Sequence, residues 1–180
     1  LTNGGFESAA TSWTAGNSAT LSDEVSGKTG NCLRITENGD ANPYAYQSVA
    51  TVVGKLYQFT CYVNAGTEAT YKVAIGTGGS ASTENFLETA EAANDWTSTI
   101  PTIVFEATGT TTTVSLMSTG MGSGATIEYD SVTLYEVTPG CVAANSDACD
   151  GWAKNSNTDI SREHWDGTGG DSDTTKAGSF

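Results

Sequence analysis

The chain has 180 residues, is rich in Thr, Gly, Ser and Ala, and carries a formal net charge of −14. Binding to nucleic acid or to anionic lipid depends on Lys and Arg side chains that neutralise phosphates, so this charge argues against both kinds of partner. No stretch is apolar for the length that a membrane-spanning helix needs, so membrane insertion is not expected either.

Turn signals divide the first 137 residues into short segments with the alternation of β-strands. Clusters of Gly, Asn, Asp and Pro separate these segments, and residues 81–95 are open to a helical turn or a polar loop. The pattern predicts an all-β fold, an antiparallel β-sandwich of the jelly-roll type. The predicted strands are CLRITE, YAYQSVATV, LYQFTCYVNA, TYKVAIG, PTIVFEA, TTTVSLMS and ATIEYDSVTLYEV.

The beginning of the chain recurs near its end. When Trp13 is set against Trp152, Leu21 also meets Ile160, although a match this short between common residue types is compatible with chance. We predict a β-sandwich module over residues 1–138, a linker over residues 139–150, and the start of a second, incomplete similar module over residues 151–180.

Four cysteines bear on the redox environment. Cys141 and Cys149 bracket a short polar loop that a disulfide could staple, which would indicate an oxidising compartment. Cys32 and Cys61 lie within predicted strands, where buried thiols and a disulfide are both open. No spacing of Cys and His residues suggests a zinc site.

Several motifs follow one another in a characteristic order. The chain opens on LTNGGFE ahead of Trp13, continues through CLRIT and YQSVATVVGKLYQFTCYVNA, has Trp96 before a strand, and reaches ATIEYDSVTL near residue 130. Over residues 1–137 this order resembles the calcium-binding jelly-roll carbohydrate-binding modules that are attached to xylanases and cellulases. The resemblance implies the same fold, a structural Ca²⁺ ion and a polysaccharide or cell-surface glycan as partner.

The resemblance also implies which residues bind the Ca²⁺ ion. The ligands would be the carboxylates of Glu7 and Asp130, with Asn3 and Gly5 as backbone carbonyl donors. The residue types agree with this role, because paired glycines allow a tight turn and Ca²⁺ prefers oxygen ligands. If the first and last strands are neighbours, Glu7 and Asp130 would meet across a sheet edge. The alternative is that both carboxylates are simply solvated at strand ends.

Tyr44 and Tyr46 are the predicted carbohydrate platform. They are two residues apart, so their side chains leave the same face of a strand. Aromatic rings stack on the apolar faces of sugar rings, while nearby amides take the hydroxyl groups. We therefore predict a ligand-binding site formed by Tyr44, Tyr46, Gln47 and Asn42. The alternative is that both tyrosines pack between the sheets.

Four other aromatic residues are expected to serve mainly in packing. Trp13 and Trp96 fall where the resembled family keeps a core or edge-packing aromatic residue. Tyr62 and Tyr71 are secondary candidates for sugar contact, and covering the core is the favoured interpretation for both.

The sequence predicts that the chain is not an enzyme. Its one histidine, His164, lies in the incomplete copy, and no pair of carboxylates stands out by its spacing. We predict a non-catalytic carbohydrate-binding module of a larger extracellular enzyme or adhesin that is secreted or displayed on a cell or virion surface. The alternative is a structural module of a phage fibre, surface layer or extracellular filament, whose C-terminal tail pairs with a neighbouring copy of itself.

Overall fold

A computed structural model of the protein describes residues 1–67, 70–79, 81, 86–91, 95–96, 98–99 and 103–137. The chain divides into a unit of residues Leu1–Val137 and a unit of residues Thr138–Phe180, and all described residues belong to the first unit. The predicted linker, the second copy, Cys141, Cys149 and His164 therefore lie outside the described residues. Within the described part of the chain, no helix is long and apolar enough to cross a membrane.

The described residues form β-strands and no helix, as the alternation of their side chains predicts. The strands are β1 (Glu7–Ala10), β2 (Thr14–Gly16), β3 (Thr20–Glu24), β4 (Cys32–Thr36), β5 (Tyr44–Ala50), β6 (Leu56–Asn64), β7 (Thr70–Gly76), β8 (Phe86–Glu91), β9 (Ser98–Thr99), β10 (Ile103–Glu106), β11 (Thr111–Ser118) and β12 (Thr126–Val137).

The strands form two antiparallel sheets that pack as a jelly-roll sandwich, which confirms the predicted fold class. The six-stranded sheet has the order β10-β6-β12-β4-β3, with β9 also paired to β6. The five-stranded sheet has the order β2-β5-β11-β7-β8. Strand β1 lies beside β3 and β4.

The core lies between the two sheets and is built by the alternation of side chains along each strand. In β6, every second residue from Tyr57 to Val63 is buried, while the intervening residues are half-buried. Full burial of an apolar side chain of this size contributes about 1.5–3 kcal/mol. The inward residues include Leu33, Ile35, Phe59, Val63, Val73, Ile75, Val114, Leu116, Ile127 and Tyr129.

The opening NGG turn attaches the N-terminus to the last strand. The N–H of Val132 donates to the carbonyl oxygen of Gly4 at 2.8 Å, beside a bulge between Asp130 and Thr133. A Cβ atom added at Gly4 would lie 2.0 Å from the carbonyl oxygen of Val132, so only glycine fits this contact. The close approach of two backbones therefore explains this glycine.

Trp13 belongs to the core, as predicted. Its side chain is only 7% exposed, and its ring centroid lies 5.6 Å from that of Phe6. Tyr71 is buried in the same core cluster, which confirms the packing interpretation for that residue.

The structure differs from the sequence-based expectation for residues 81–95. Strand β8 occupies residues Phe86–Glu91 and pairs antiparallel with β7, so its backbone is neither a helical turn nor a loop. The Ala and Glu residues of this segment have low strand propensity, and pairing with β7 overrides that preference.

Two cysteines in the strands are buried thiols rather than a disulfide. Cys32 lies in β4 and Cys61 in β6, and β12 runs between these two strands. Burial raises the pKa of the Cys32 thiol to about 12, and the negative charges of Glu128 and Asp130 act in the same direction. Cys32 is therefore protonated and unreactive at neutral pH.

Candidate functional site

Tyr44 and Tyr46 lie on the outer surface of the five-stranded sheet, away from the core. Both are half-buried, their ring centroids are 6.0 Å apart, and their ring planes are inclined at 51°. This outer surface is called the tyrosine face below. The residues that β2, β5, β11 and β7 contribute to it are Thr14, Gly16, Tyr44, Tyr46, Ser48, Ala50, Thr70, Lys72, Ala74, Gly76, Thr111, Thr113, Ser115 and Met117.

The ring of Tyr44 is seated on the neighbouring strand β2. A Cβ atom added at Gly16 would lie 2.0 Å from Cε2 and 2.1 Å from Cζ of Tyr44. Any larger residue at position 16 would therefore displace the ring. The glycine in β2 thus determines where the tyrosine platform lies.

Small residues line the sheet next to Tyr46. Ser115 pairs with Tyr46 on one side and with Ala74 on the other, and both Ser115 and Ala74 are fully buried. The backbone N–H of Ala81 donates to Oγ of Ser115 at 2.8 Å, so the segment after β7 passes over this row. The tyrosines stand beside this covered row and are accessible in part.

Asn42 lies just before β5 and is exposed, close in the chain to Tyr44. Its backbone N–H donates to Oδ1 of Asp40 at 2.9 Å, and its carbonyl oxygen accepts a hydrogen bond from Nδ2 of Asn17 at 2.9 Å. The backbone of Asn42 is therefore held from two sides. Its predicted role in binding a ligand stays a prediction.

A buried glutamate holds the loop that leads into β5. Glu37 is 8% exposed and accepts hydrogen bonds from the backbone N–H groups of Gly39 at 2.7 Å and Gly124 at 2.9 Å. These contacts connect the loop to the turn before β12. Glu37 therefore stabilises the loop that precedes the tyrosine face, but it does not lie on that face.

Gln47 does not share the face of the two tyrosines. It is 8% exposed, and its Nε2 donates to the carbonyl oxygens of Thr2 at 2.9 Å and Ser12 at 3.0 Å. Its Oε1 accepts a hydrogen bond from the N–H of Thr2 at 2.6 Å. The amide attaches the N-terminal segment to β5, so this placement does not fit the predicted ligand-binding role. The alternation of side chains along β5 already indicates the opposite face.

Glu7 and Asp130 approach the same loop, residues 25–31, from different elements. Oε1 of Glu7 accepts a hydrogen bond from the N–H of Asn31 at 2.9 Å, and Oδ2 of Asp130 accepts one from the N–H of Thr29 at 2.9 Å. The two carboxylates therefore meet through this loop rather than by direct pairing of the first and last strands. A Cβ atom added at Gly30 would lie 2.0 Å from Oε1 of Glu7.

Asp130 is a fully buried carboxyl group. Burial raises its pKa above the ordinary value, and hydrogen bonds from the backbone of Thr29, Ser131 and Lys28 lower it in part. Ion pairs between described residues involve Arg34 and Lys55, and none of them includes Asp130. A bound cation would offset the cost of burying this charge.

The 25–31 loop is also held by contacts along its outer side. Nε1 of Trp96 donates to the carbonyl oxygen of Ser26 at 2.7 Å, and Nζ of Lys28 lies 4.9 Å from the ring centroid of Tyr62. Trp96 and Tyr62 are half-buried, so they pack at the loop rather than in the core. The loop that both carboxylates reach is thus fixed by its neighbours.

The two carbonyl donors implied by the resemblance differ in their surroundings. The carbonyl oxygen of Asn3 accepts hydrogen bonds from Nε1 of Trp13 at 3.3 Å and from the N–H of Phe6 at 3.4 Å. It is already used within the N-terminal turn, so Asn3 does not fit the predicted role well. Gly5 is half-buried one residue before Phe6 and stays a predicted donor.

Among the described side chains, no three His, Cys, Asp or Glu residues cluster in a way that would hold a metal ion. A site at the 25–31 loop would therefore rely on two carboxylates and on backbone carbonyl oxygens. This donor set suits Ca²⁺, which accepts backbone and carboxylate oxygens together, and it does not suit Zn²⁺.

Comparisons with known proteins define the fold. No family model matches the chain, and no curated protein matches it significantly. Among solved structures, a family 4 carbohydrate-binding module has a TM-score of 0.60 and 20% identity over 76% of this chain and 99% of that chain. A Clostridium thermocellum xylanase 10B fragment with a family 22 module, complexed with xylohexaose, has a TM-score of 0.54 and 24% identity over 74% of this chain and 28% of that chain.

Enzymes share the same fold. A cyclase from Fischerella has a TM-score of 0.60 and 14% identity over 76% of this chain and 96% of that chain. Carbohydrate-binding modules of families 16 and 61 match as well. The chain therefore has the jelly-roll fold of carbohydrate-binding modules, and at these identities the likeness concerns the fold alone.

Proposed function

We propose that residues 1–137 form a non-catalytic carbohydrate-binding module of a larger extracellular or surface protein, with the polysaccharide bound on the tyrosine face. The observation that carries this proposal is the pair of half-buried tyrosines on the outside of the five-stranded sheet. A tyrosine ring offers a flat apolar face and a polar hydroxyl group, and a sugar ring offers the matching apolar surface.

The geometry of the pair favours a single polysaccharide chain over a crystalline surface. A flat crystal face requires coplanar rings, whereas the planes of Tyr44 and Tyr46 are inclined at 51°. Two inclined rings suit a chain whose successive sugars are rotated relative to each other. Asn42, exposed beside Tyr44, would supply an amide for sugar hydroxyl groups.

Ca²⁺ is proposed as a structural ion at the 25–31 loop. The carboxylates of Glu7 and Asp130 and a backbone carbonyl such as that of Gly5 would bind it. The support is the convergence of both carboxylates on one loop and the burial of Asp130. The ion would neutralise the buried charge and would stabilise the fold; it takes no part in sugar recognition, because the loop belongs to the six-stranded sheet.

The proposal is tested by screening the chain against an array of plant, algal and bacterial polysaccharides in the presence of Ca²⁺. We expect saturable binding that the double substitution Tyr44→Ala/Tyr46→Ala weakens by about 30- to 1,000-fold, since each stacked ring contributes about 1–2 kcal/mol. The matched control is Tyr135→Ala, because Tyr135 is 48% exposed on the outside of the other sheet.

Three outcomes of this screen would oppose the proposal. Binding that survives the double substitution would place the site elsewhere, and equal losses in the double variant and in Tyr135→Ala would indicate non-specific adhesion. No binding by the folded wild-type chain would favour the structural-module alternative.

A further inference from the structure

The tyrosine face carries one basic residue, Lys72 of β7. Its strand neighbours Tyr71 and Val73 are buried in the core, so Lys72 points to the outside of the five-stranded sheet, where it is half-buried. Ion pairs among described residues do not include Lys72. We take its ammonium group as the candidate ligand contact on this face.

The register of the sheet aligns Lys72 with Tyr44. Met117 pairs with Tyr44 on one side and with Lys72 on the other, and Met117 is 5% exposed. Two strand spacings separate the outer residues, which corresponds to roughly 10 Å between their backbones. Since Met117 is covered, the accessible groups of this row are the tyrosine ring and the lysine. A short oligosaccharide that lies across the strands would contact both.

The strands around Tyr44, Tyr46 and Lys72 differ in charge from the chain as a whole. The protein has 21 Asp and Glu residues against seven Lys and Arg residues, yet none of the strand residues of the tyrosine face is acidic. In β8, the register sets the uncharged residues Leu87 and Thr89 opposite Ala74 and Lys72, and it sets the acidic residue Glu91 opposite Thr70, at the start of β7. The strands that carry the two tyrosines and Lys72 thus place no carboxylate on this face to accept hydrogen bonds from sugar hydroxyls, and Lys72 offers a three-proton donor.

From this arrangement we infer that the ligand of the tyrosine face is an acidic polysaccharide, with Lys72 binding the carboxylate of a uronic acid unit next to the sugar that stacks on Tyr44. The inference rests on the proposed function and specifies its class of ligand. An ammonium group paired with a carboxylate forms a charge-assisted hydrogen bond, which is stronger than a bond to a neutral hydroxyl.

The negative charge of the chain limits how this recognition works. A net charge of −14 repels a polyanion at long range, unlike the steering that basic proteins exert. At physiological ionic strength this repulsion is screened beyond about 8 Å. A charge contact at hydrogen-bonding distance is not screened in this way and therefore persists. Binding measured at this ionic strength therefore reports on the local contact.

The test compares uronate polysaccharides with their carboxyl-reduced counterparts, in which each uronic acid has become the neutral hexose. Fragments of polygalacturonate, alginate and glucuronoxylan serve as probes in titrations with the wild-type chain, Lys72→Met and Lys72→Arg. We expect the wild type to bind at least one acidic fragment about tenfold more tightly than its reduced form, a factor that corresponds to about 1.4 kcal/mol. Lys72→Met should remove this preference, and Lys72→Arg should keep it.

The outcomes separate this inference from the proposed function. Equal affinity for acidic and reduced fragments, binding to neutral polysaccharides alone, or a preference that survives Lys72→Met would overturn the inference and leave the carbohydrate-binding proposal standing. Failure of the wild-type chain to bind any acidic or neutral fragment would overturn both. Equal thermal midpoints of the three proteins would confirm that the substitutions act on binding rather than on folding.

Discussion

The outer faces of the two sheets differ in whether their polar groups are paired within the protein or exposed to solvent. On the six-stranded sheet, Arg34 forms ion pairs with Glu24 at 2.8 Å and with Glu128 at 2.6 Å, and Asn64 donates to Glu128 at 2.7 Å. The side chain of Glu128 is only 4% exposed, and both of its carboxylate oxygens accept hydrogen bonds within the protein, from Arg34 and Asn64. The tyrosine face instead presents two aromatic rings and a lysine. A network of buried ion pairs and hydrogen bonds stabilises the fold, whereas half-exposed aromatic rings can contact a ligand.

The largest effect is expected from breaking the polar network of the six-stranded sheet. Arg34→Ala would leave Glu128 buried without its cation, and such a loss costs about 3 kcal/mol in the free energy of unfolding. Urea denaturation measures this change. Polysaccharide binding should be unaffected, because Arg34 lies on the sheet away from the tyrosines.

Lys55→Ala is the matched control for that substitution. Lys55 and Glu136 form an ion pair of 3.2 Å in which both side chains are largely exposed. Pairs of this kind contribute about 0–1 kcal/mol, so the control should unfold at nearly the wild-type urea concentration. If Arg34→Ala were as stable as Lys55→Ala, the network would not be the stabilising element described above.

Calcium is expected to stabilise the wild-type chain almost as strongly. Free Ca²⁺ at about 100 times its Kd raises the free energy of unfolding by about 2.7 kcal/mol. Asp130→Asn should abolish this increment, since it removes the buried carboxylate at the 25–31 loop. Asp23→Asn, an exposed position on β3, should retain it. Equal thermal midpoints in Ca²⁺ and in chelator for the wild type would contradict the proposed ion.

A smaller loss of affinity is expected when the ring of Tyr44 is kept but is moved from its present position on the tyrosine face. Gly16→Val adds a side chain where the ring of Tyr44 now lies, so the ring must move. We expect affinity for the polysaccharide to fall about tenfold, or about 1.4 kcal/mol, in calorimetric titrations. Gly122→Val is the control, because a Cβ atom at Gly122 meets nothing within 4 Å. Unchanged affinity of Gly16→Val would show that the seat on β2 is not required.

The smallest effect concerns pH in the absence of Ca²⁺. Burial raises the pKa of Asp130 above its ordinary value of 3.8, so the folded state retains a proton that the unfolded state releases. The contribution of Asp130 to stability is therefore greatest below the ordinary pKa and declines as pH rises through the folded pKa. In chelator, the wild type should gain more stability on acidification than Asp130→Asn does. Identical pH profiles of stability for the wild type and Asp130→Asn would show that the buried carboxylate of Asp130 does not lower the stability.

The fold could be predicted because alternation is a local signal. Strands such as β6 and β12 show it in the sequence, and burial follows it closely. Strand β8 is not predictable from its own residues, because several of them have low strand propensity and the strand depends on pairing with β7, a contact that the sequence does not display.

The candidate site was harder to predict than the fold. The spacing of Tyr44 and Tyr46 predicts that they share a face, and the same alternation directs Gln47 toward the core, against its predicted ligand-binding role. Lys72 carries no signal alone, since its place beside Tyr44 depends on the register of three strands. The role of Gly16 is not visible in the sequence either, because its contact with Tyr44 joins two strands that are distant in the chain.

Mapping a bound oligosaccharide onto the protein by NMR tests the central claim most directly. With a fragment selected by the array, the largest chemical-shift changes are expected at Tyr44, Tyr46 and Lys72, with little change at Arg34 and Glu128. This pattern would assign polysaccharide binding to the outside of the five-stranded sheet. Saturable changes centred on the six-stranded sheet, or no saturable change with any fragment, would contradict the account.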